Sequence, residues 1–181
     1  MFSGCSKFSS LDITNLNKSK VICANYMFSG CSSLTSLNLS SFEHTQIKEM
    51  KYMFSGCSSL TSLNLSNLNT SQVIHLEYIF NSCSQLAPLD VSVLDTSKVE
   101  YMNGTFYGCS KLVSLNLSEL NTPKVITMNN MFGQCINLIM LDFTNMDTSS
   151  VTDMSQMFYN CLSLPLLNLS SFDTSKVTLM D

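Results

Sequence analysis

The hydrophobic positions of this chain recur with one spacing from end to end. Phe2, Phe28, Phe54, Phe80, Phe106, Phe132 and Phe158 stand 26 residues apart. A cysteine follows three residues after each, at Cys5, Cys31, Cys57, Cys83, Cys109, Cys135 and Cys161. Six residues further on runs a leucine column: Leu11, Leu37, Leu63, Leu89, Leu115, Leu141 and Leu167. No insertion breaks the frame, and the stretch MFSGCSSLTSLNLS occurs letter for letter at 27–40 and 53–66. Fixed-period self-similarity is the signature of a repeat architecture, and this period lies in the leucine-rich-repeat range. The chain divides into units 1–26, 27–52, 53–78, 79–104, 105–130, 131–156 and 157–181, the last one residue short.

The polar positions between these columns predict the elements. Leu138, Leu141 and Phe143 have the spacing LxxLxL, and the last two alternate with Asp142. That predicts a short strand with one buried face. Thr14, Ser40, Ser66, Ser92, Ser118, Thr144 and Ser170 follow the strand, where a hydroxyl can satisfy backbone groups of the turn. A polar turn comes next, DTS or NTS in most units. Val151, Met154, Met157, Phe158 and Cys161 then fall at helical spacing, which predicts a short helix starting near Thr148 to Thr152. Pro123 fits the first helical position. Gly4, Gly30, Gly56 and Gly108, each before a cysteine, suit a left-handed helix stop.

One unit buries too little to fold alone, so units must stack. The expected fold is an α/β solenoid, leucine-rich-repeat-like, of seven strand–turn–short helix units. Strands stack about 4.8 Å apart and helices about 8–10 Å apart, which puts the parallel sheet on the concave side. Phe28, Phe54, Phe80, Phe106 and Phe132, with Cys31, Cys57, Cys83, Cys109 and Cys135, form the expected core ladder. Whether the segment around Lys98 and Val99 makes a second short strand stays open.

Composition narrows the function. The chain has 181 residues, of which 12% are charged, and a net charge of −4. Nucleic acid calls for a basic face, and an anionic membrane surface for a polybasic patch; neither is present. No apolar run reaches the length of a membrane span, about 18 residues, so no direct membrane insertion is expected. No basic segment followed by an apolar one opens the chain as in a signal peptide. The chain begins and ends in mid-unit without polar capping repeats, so a segment of a longer protein is expected.

Candidate chemistry is sparse. Zinc sites use close cysteine pairs, and here no two cysteines lie within seven residues. The ladder cysteines read as buried thiols acting as small hydrophobes. Cys23 shares an outward column with Glu49, His75, Tyr101, Thr127, Asp153 and Leu179, which makes it the candidate reactive thiol. His44 and His75 occupy different columns and read as surface variation. No nucleophile, base and orienter recur together, and there is no Gly-rich phosphate loop. The chain is therefore expected not to be an enzyme and to hold no cofactor or metal.

Two surfaces are candidates for contact. Asp12, Asn38, Asn64, Asp90, Asn116, Asp142 and Asn168 form a polar ladder beside the leucines. It is either a solvated face with mutual side-chain hydrogen bonds or a binding strip for glycan or protein. Calcium needs clustered carboxylates, and these are spread over several rungs. Asn38, Asn64, Asn116 and Asn168 sit in NLS sequons, where glycans on neighbouring rungs would collide. The second surface is apolar: Ile136, Ile139, Met140, Leu162 and Leu166 replace mostly Ser and Thr of earlier units. Such a patch marks a contact site if exposed, and core if its turn folds inward.

The motif MFxGCSxLxSLxLSxFxTSxVxxM resembles the repeat of BspA-like leucine-rich-repeat bacterial surface proteins, also described as a mycoplasma-type domain of unknown function. The resemblance covers all seven units through the Phe, Cys, Leu and Ser/Thr-Val positions. It implies placement at the cell surface or outside the cell, adhesion to protein or glycan ligands such as those of a host surface, and no catalytic residues. Self-association through uncapped ends, as a spacer or lattice element, is the alternative expectation.

Overall fold

The computed structural model describes residues 1–16 and 20–181. The 26-residue units are successive coils of a stack. The six steps along the phenylalanine column, from Phe2 to Phe158, bring parallel rings to centroid distances of 5.5–5.9 Å. One continuous hydrophobic core runs through the stack, filled by the Phe, Cys and Leu columns with Met50, Met102, Met128 and the valines at 73, 99, 125 and 151. The expected core ladder is where the sequence placed it: Phe28 through Phe132 and Cys31 through Cys135 are all buried.

The predicted helices are not there. Among the described residues the helical elements come down to one 3-10 turn, Ser40–Phe42. The segment expected to be helical is a chain of β-turns. In the second coil Met27 N–H donates to Ala24 O, Cys31 N–H to Phe28 O and Leu34 N–H to Cys31 O, each at 3.1 Å. The later coils repeat this. Turns closed every three or four residues bring inward side chains back at nearly the spacing of a helix face, which is why the sequence gives a helical signal. The third residue of two of these turns has positive φ, as in a type II turn. Gly30 (φ 72°) and Gly56 (φ 72°) serve there, so those glycines are left-handed as expected, inside a turn rather than at a helix end.

Pairing between coils also sits elsewhere than expected. Among the described residues the Leu–Asn–Ser segment forms strands only at β1 (Ser114–Asn116) and β2 (Met140–Asp142), paired in parallel with Leu115 opposite Leu141. The continuous spine is a run of single parallel bridges, Cys23 to Glu49 to His75 to Tyr101 to Thr127 to Asp153 to Leu179. This answers the question left open at Lys98 and Val99: the second pairing segment exists and centres two residues later. Around it, Met50 N–H reaches His75 O, Tyr52 N–H Glu77 O, Phe54 N–H Ile79 O and Gly56 N–H Asn81 O, at 2.7–3.0 Å. The expectation of a concave strand side rested on helices standing wider apart than strands. With turns in place of helices that ground is gone.

Candidate functional site

The polar ladder resolves into local turns. In every coil the Asn or Asp side chain accepts the N–H two residues on: Asn38 Oδ1 from Ser40, Asn64 from Ser66, Asp90 from Ser92, Asn116 from Ser118, Asp142 from Thr144 and Asn168 from Ser170, at 2.9–3.0 Å. The expected roles are thus exchanged. The Asx oxygen closes the turn, and the Ser or Thr supplies the N–H. Where the Asx residue is Asp90 or Asp142, the hydroxyl of Ser92 or Thr144 donates as well. These bonds hold both carboxyls below the ordinary carboxylate value. Mutual side-chain bonds along the ladder, one of its two readings, are not found among the described residues. The outer halves of these side chains face solvent, all exposed except the half-buried Asp142. Shallow grooves of about 330–430 Å³ lie between rungs, lined for example by Asn64, Pro88, Asp90 and Val93.

The five apolar residues of the last two coils are outside. Ile136, Ile139 and Met140 are exposed, and Leu162 and Leu166 are 76% and 89% exposed. They lie in neighbouring positions of adjacent coils, and Val113 extends their column backwards, also exposed. The flanking turn does not fold inward.

The ladder cysteines form no disulfide. All eight cysteines are free. Each thiol from Cys31 to Cys161 donates to the carbonyl of the Phe in the preceding coil, at 3.0–3.2 Å. Burial pushes Cys57 and Cys135 up to about 12 and raises Cys83 and Cys109 as well. Cys23 is exposed, with Glu49 Oε2 at 3.6 Å. Among the described residues no group of three or more His, Cys, Asp or Glu could hold a metal ion, and no helix is long and apolar enough to cross a membrane.

A third surface was missed. All six tyrosines fall at three positions of the coil: Tyr101; Tyr26, Tyr52 and Tyr78; Tyr107 and Tyr159. Tyr26, Tyr52 and Tyr78 stack in parallel at 4.8–4.9 Å, and Tyr78 fills the space a side chain at Gly104 would need. His75 is no plain surface variant. Its ring stacks on Tyr101 at 4.7 Å, its Nδ1 lies 3.1 Å from Glu77, and Glu77 pairs with Lys51 at 3.0 Å. His44 is exposed. The signal for this face was in the sequence, as a column reading of tyrosine alone.

A stack of fixed-length coils with a buried Phe–Cys–Leu core and chemistry only on its outward columns defines a repeat solenoid. The family model described as "Mycoplasma protein of unknown function, DUF285" matches residues 1–88 and 75–181, and the chain belongs to that family. No curated protein matches the chain. Among solved structures it is similar to a leucine-rich-repeat protein of T. pallidum, at 23% identity and TM-score 0.46, covering 86% of this chain and 77% of that one. A leucine-rich-repeat protein of Bacteroides ovatus is 18% identical at TM-score 0.35, covering 99% and 55%. One of Eubacterium ventriosum is 18% identical at TM-score 0.36, covering 90% and 39%. The chain thus spans about half of the second of these proteins and two-fifths of the third.

Proposed function

We propose that the chain is a non-catalytic binding or adhesion module, displayed at a cell surface, whose coils hold outward columns in fixed register for a protein or glycan ligand. The observation that carries this reading is the position of the substitutions. Five outward places that are polar in most earlier coils become Ile136, Ile139, Met140, Leu162 and Leu166, and all five side chains stay in solvent. An exposed apolar cluster on an otherwise polar surface is the usual mark of a contact site. The interior offers nothing comparable, because its thiols and most of its buried threonines are spent on coil-to-coil bonds, and Thr45 and Thr105 bond carbonyls of their own coil. Thr96 Oγ1, for example, donates to Asn121 O at 2.7 Å.

A second reading, a structural spacer or lattice element, is favoured by the same coil-to-coil contact recurring at every step. Light-scattering mass across a concentration series separates the two, using the wild type and Ile139→Ser/Leu166→Ser. Assembly that the double change abolishes makes the patch a protein contact. Assembly that ignores it favours end-to-end stacking. A monomer throughout removes the lattice reading and leaves the outward columns to external ligands.

A further inference from the structure

We infer that Asn38, Asn64 and Asn116 of the polar ladder are acceptor sites for covalent N-linked glycosylation. This goes beyond the binding-module reading and stands or falls separately from it.

Six Asn-x-Ser/Thr sequons lie within the described residues, at Asn38, Asn64, Asn69, Asn103, Asn116 and Asn168. The motif alone makes them equal. The structure sorts them. At Asn69 the amide Nδ2 donates to Thr45 O at 2.9 Å, and Ser71 Oγ donates to Asn69 Oδ1 at 2.8 Å. Both groups that a sequon offers are engaged there. Asn103 is half-buried with its Oδ1 shut away from solvent, and Thr105 is buried with its hydroxyl on Met102 O at 2.7 Å.

The ladder sequons are open. Asn38, Asn64 and Asn116 are exposed, and each Oδ1 accepts the N–H of Ser40, Ser66 or Ser118 at 2.9 Å. The turn thus holds each amide by its oxygen. Among the described residues the three Nδ2 groups donate to nothing, and the hydroxyls of Ser40, Ser66 and Ser118 bond nothing. The middle residues Leu39, Leu65 and Leu117 are buried, which anchors each turn and leaves its Asn and Ser on the outside. All three sites have a coil on either side, so their exposure does not come from an end of the stack. Asn168 bonds alike at 3.0 Å but lies in the last coil, where exposure says less.

The aspartates of the same ladder supply the contrast. Asp90 and Asp142 take both the N–H and the hydroxyl of Ser92 and Thr144, so no free hydroxyl is left beside them. A carboxylate also has no N–H to exchange for a sugar. Asp90 keeps Asn64 and Asn116 two coils apart, roughly 9–10 Å at one strand spacing per coil. A sugar is bulky and hydrated and needs such a surface position.

The reaction requires a transferase and a sugar activated as a glycosyl phosphate. The amide Nδ2 bonds to the anomeric carbon, and the bond from that carbon to the phosphate oxygen breaks. The phosphate ester leaves with the electron pair, and the amide gives up one proton to a base of the transferase. The free hydroxyl two residues on is the group by which a sequon is read.

Peptide mapping by electron-transfer mass spectrometry, on the full chain purified from the cells that make it, tests the assignment. Sugar is expected at one or more of Asn38, Asn64 and Asn116, with Asn69 and Asn103 bare. A single hexose at a site identifies a nucleotide-activated donor, and an oligosaccharide a lipid-linked one; either upholds the proposal. Ser66→Ala, made in the same cells, removes the hydroxyl and keeps the N–H. Its melting temperature should match that of the wild type, while sugar disappears from Asn64 and stays at Asn116. Bare asparagines at all three positions overturn the proposal. So does modification of Asn69 or Asn103 to the same extent, or modification of Asn64 that Ser66→Ala leaves intact. None of these results moves the apolar patch, which the light-scattering series tests by itself.

Discussion

The two flanks of each coil are built differently. On the turn flank, around Met50–Cys57, alternate backbone N–H groups point along the stack and bond the next coil at 2.7–3.0 Å. On the Leu–Asn–Ser flank, around Thr61–Ser66, the corresponding bond is the long one from Thr61 N–H to Thr35 O, 3.4 Å, and Ser66 N–H closes locally on Asn64. Among the described residues only coils five and six pair there as strands. A solenoid needs one continuous hydrogen-bonded seam, and here the turns supply it. The other flank is held by its buried leucines and is free to spend its polar groups on its own turns, which leaves it open to substitution.

The largest test of that contrast is a pair of truncations. Phe80 is fully buried between Phe54 and Phe106. Phe80→Ala should cost about 3–5 kcal/mol by urea denaturation, whereas Leu89→Ala, on the other flank and slightly exposed, should fall near the lower end of the roughly 2–5 kcal/mol range. Equal losses would mean that both flanks carry the stack equally.

Next comes the backbone of the seam. At Gly104, φ is 54° and an added Cβ would lie 2.1 Å from the Tyr78 ring. Gly104→Ala should cost about 1–2 kcal/mol for the left-handed conformation alone, and more for the displaced ring. The double variant Tyr78→Ala/Gly104→Ala should recover the ring part and leave the backbone part. Asn64→Ala, whose turn N–H can turn to water, should cost less than about 1 kcal/mol. A comparable loss there would make the Asx turns part of the seam.

Period and core were legible in the sequence because each buried column repeats one residue type; seven phenylalanines in register admit few other readings. The element type was not. Val151, Met154, Met157 and Phe158 turn inward in a train of β-turns much as they would on a helix, so hydrophobic spacing cannot separate the two. The left-handed residues could have. Gly30 and Gly56 are consistent with a helix end, but Tyr26, Tyr52 and Tyr78 also have φ of 55–57°, four residues earlier and in mid-segment. Nothing in a tyrosine announces that conformation. The bridge column was read as outward, and the side chains of Glu49, His75, Tyr101, Thr127 and Asp153 are in fact half-buried. The polar ladder was read as a surface column, and its side chains are exposed or half-buried, but their local bonding was not foreseen. The exposure of Leu162 and Leu166 needed coordinates, since an apolar turn residue folds in or out according to backbone geometry.

Thiol reactivity follows the seam. A thiol pushed up to about 12, such as Cys57 or Cys135, holds at pH 8 roughly a thousandth of the thiolate of one at the ordinary 9.0. Burial slows its access further. Timed labelling with iodoacetamide and peptide mapping should show Cys23 modified first, with Cys57, Cys83, Cys109 and Cys135 following only at the rate of unfolding. Early labelling of any of these four would mean that the seam opens locally.

The smallest expected effect concerns the polar turns. Asp95 accepts from Ser97 N–H at 3.0 Å and from its hydroxyl at 2.6 Å, and these bonds, side chain first, hold its carboxyl below the ordinary 3.8. A folded-state value below the unfolded one gives stability that is present above the unfolded value and is lost as pH falls through the folded one. Stability should therefore be level from neutral pH down to about 5 and decline below about 4. Asp95→Asn is informative because Asn69, in the preceding coil, already closes the same turn on Ser71 at 3.1 Å. The amide should keep the turn and remove the titration, so the variant should nearly match the wild type at pH 7 and lose less on acidification. Because Asp95 is mostly solvated, the difference should be a fraction of a kcal/mol, visible as a shallower slope of melting temperature against pH. An unchanged slope would assign the acid sensitivity to the other Asx carboxylates. A variant already weaker at pH 7 would show that the charge, and not the turn geometry, secures this bend.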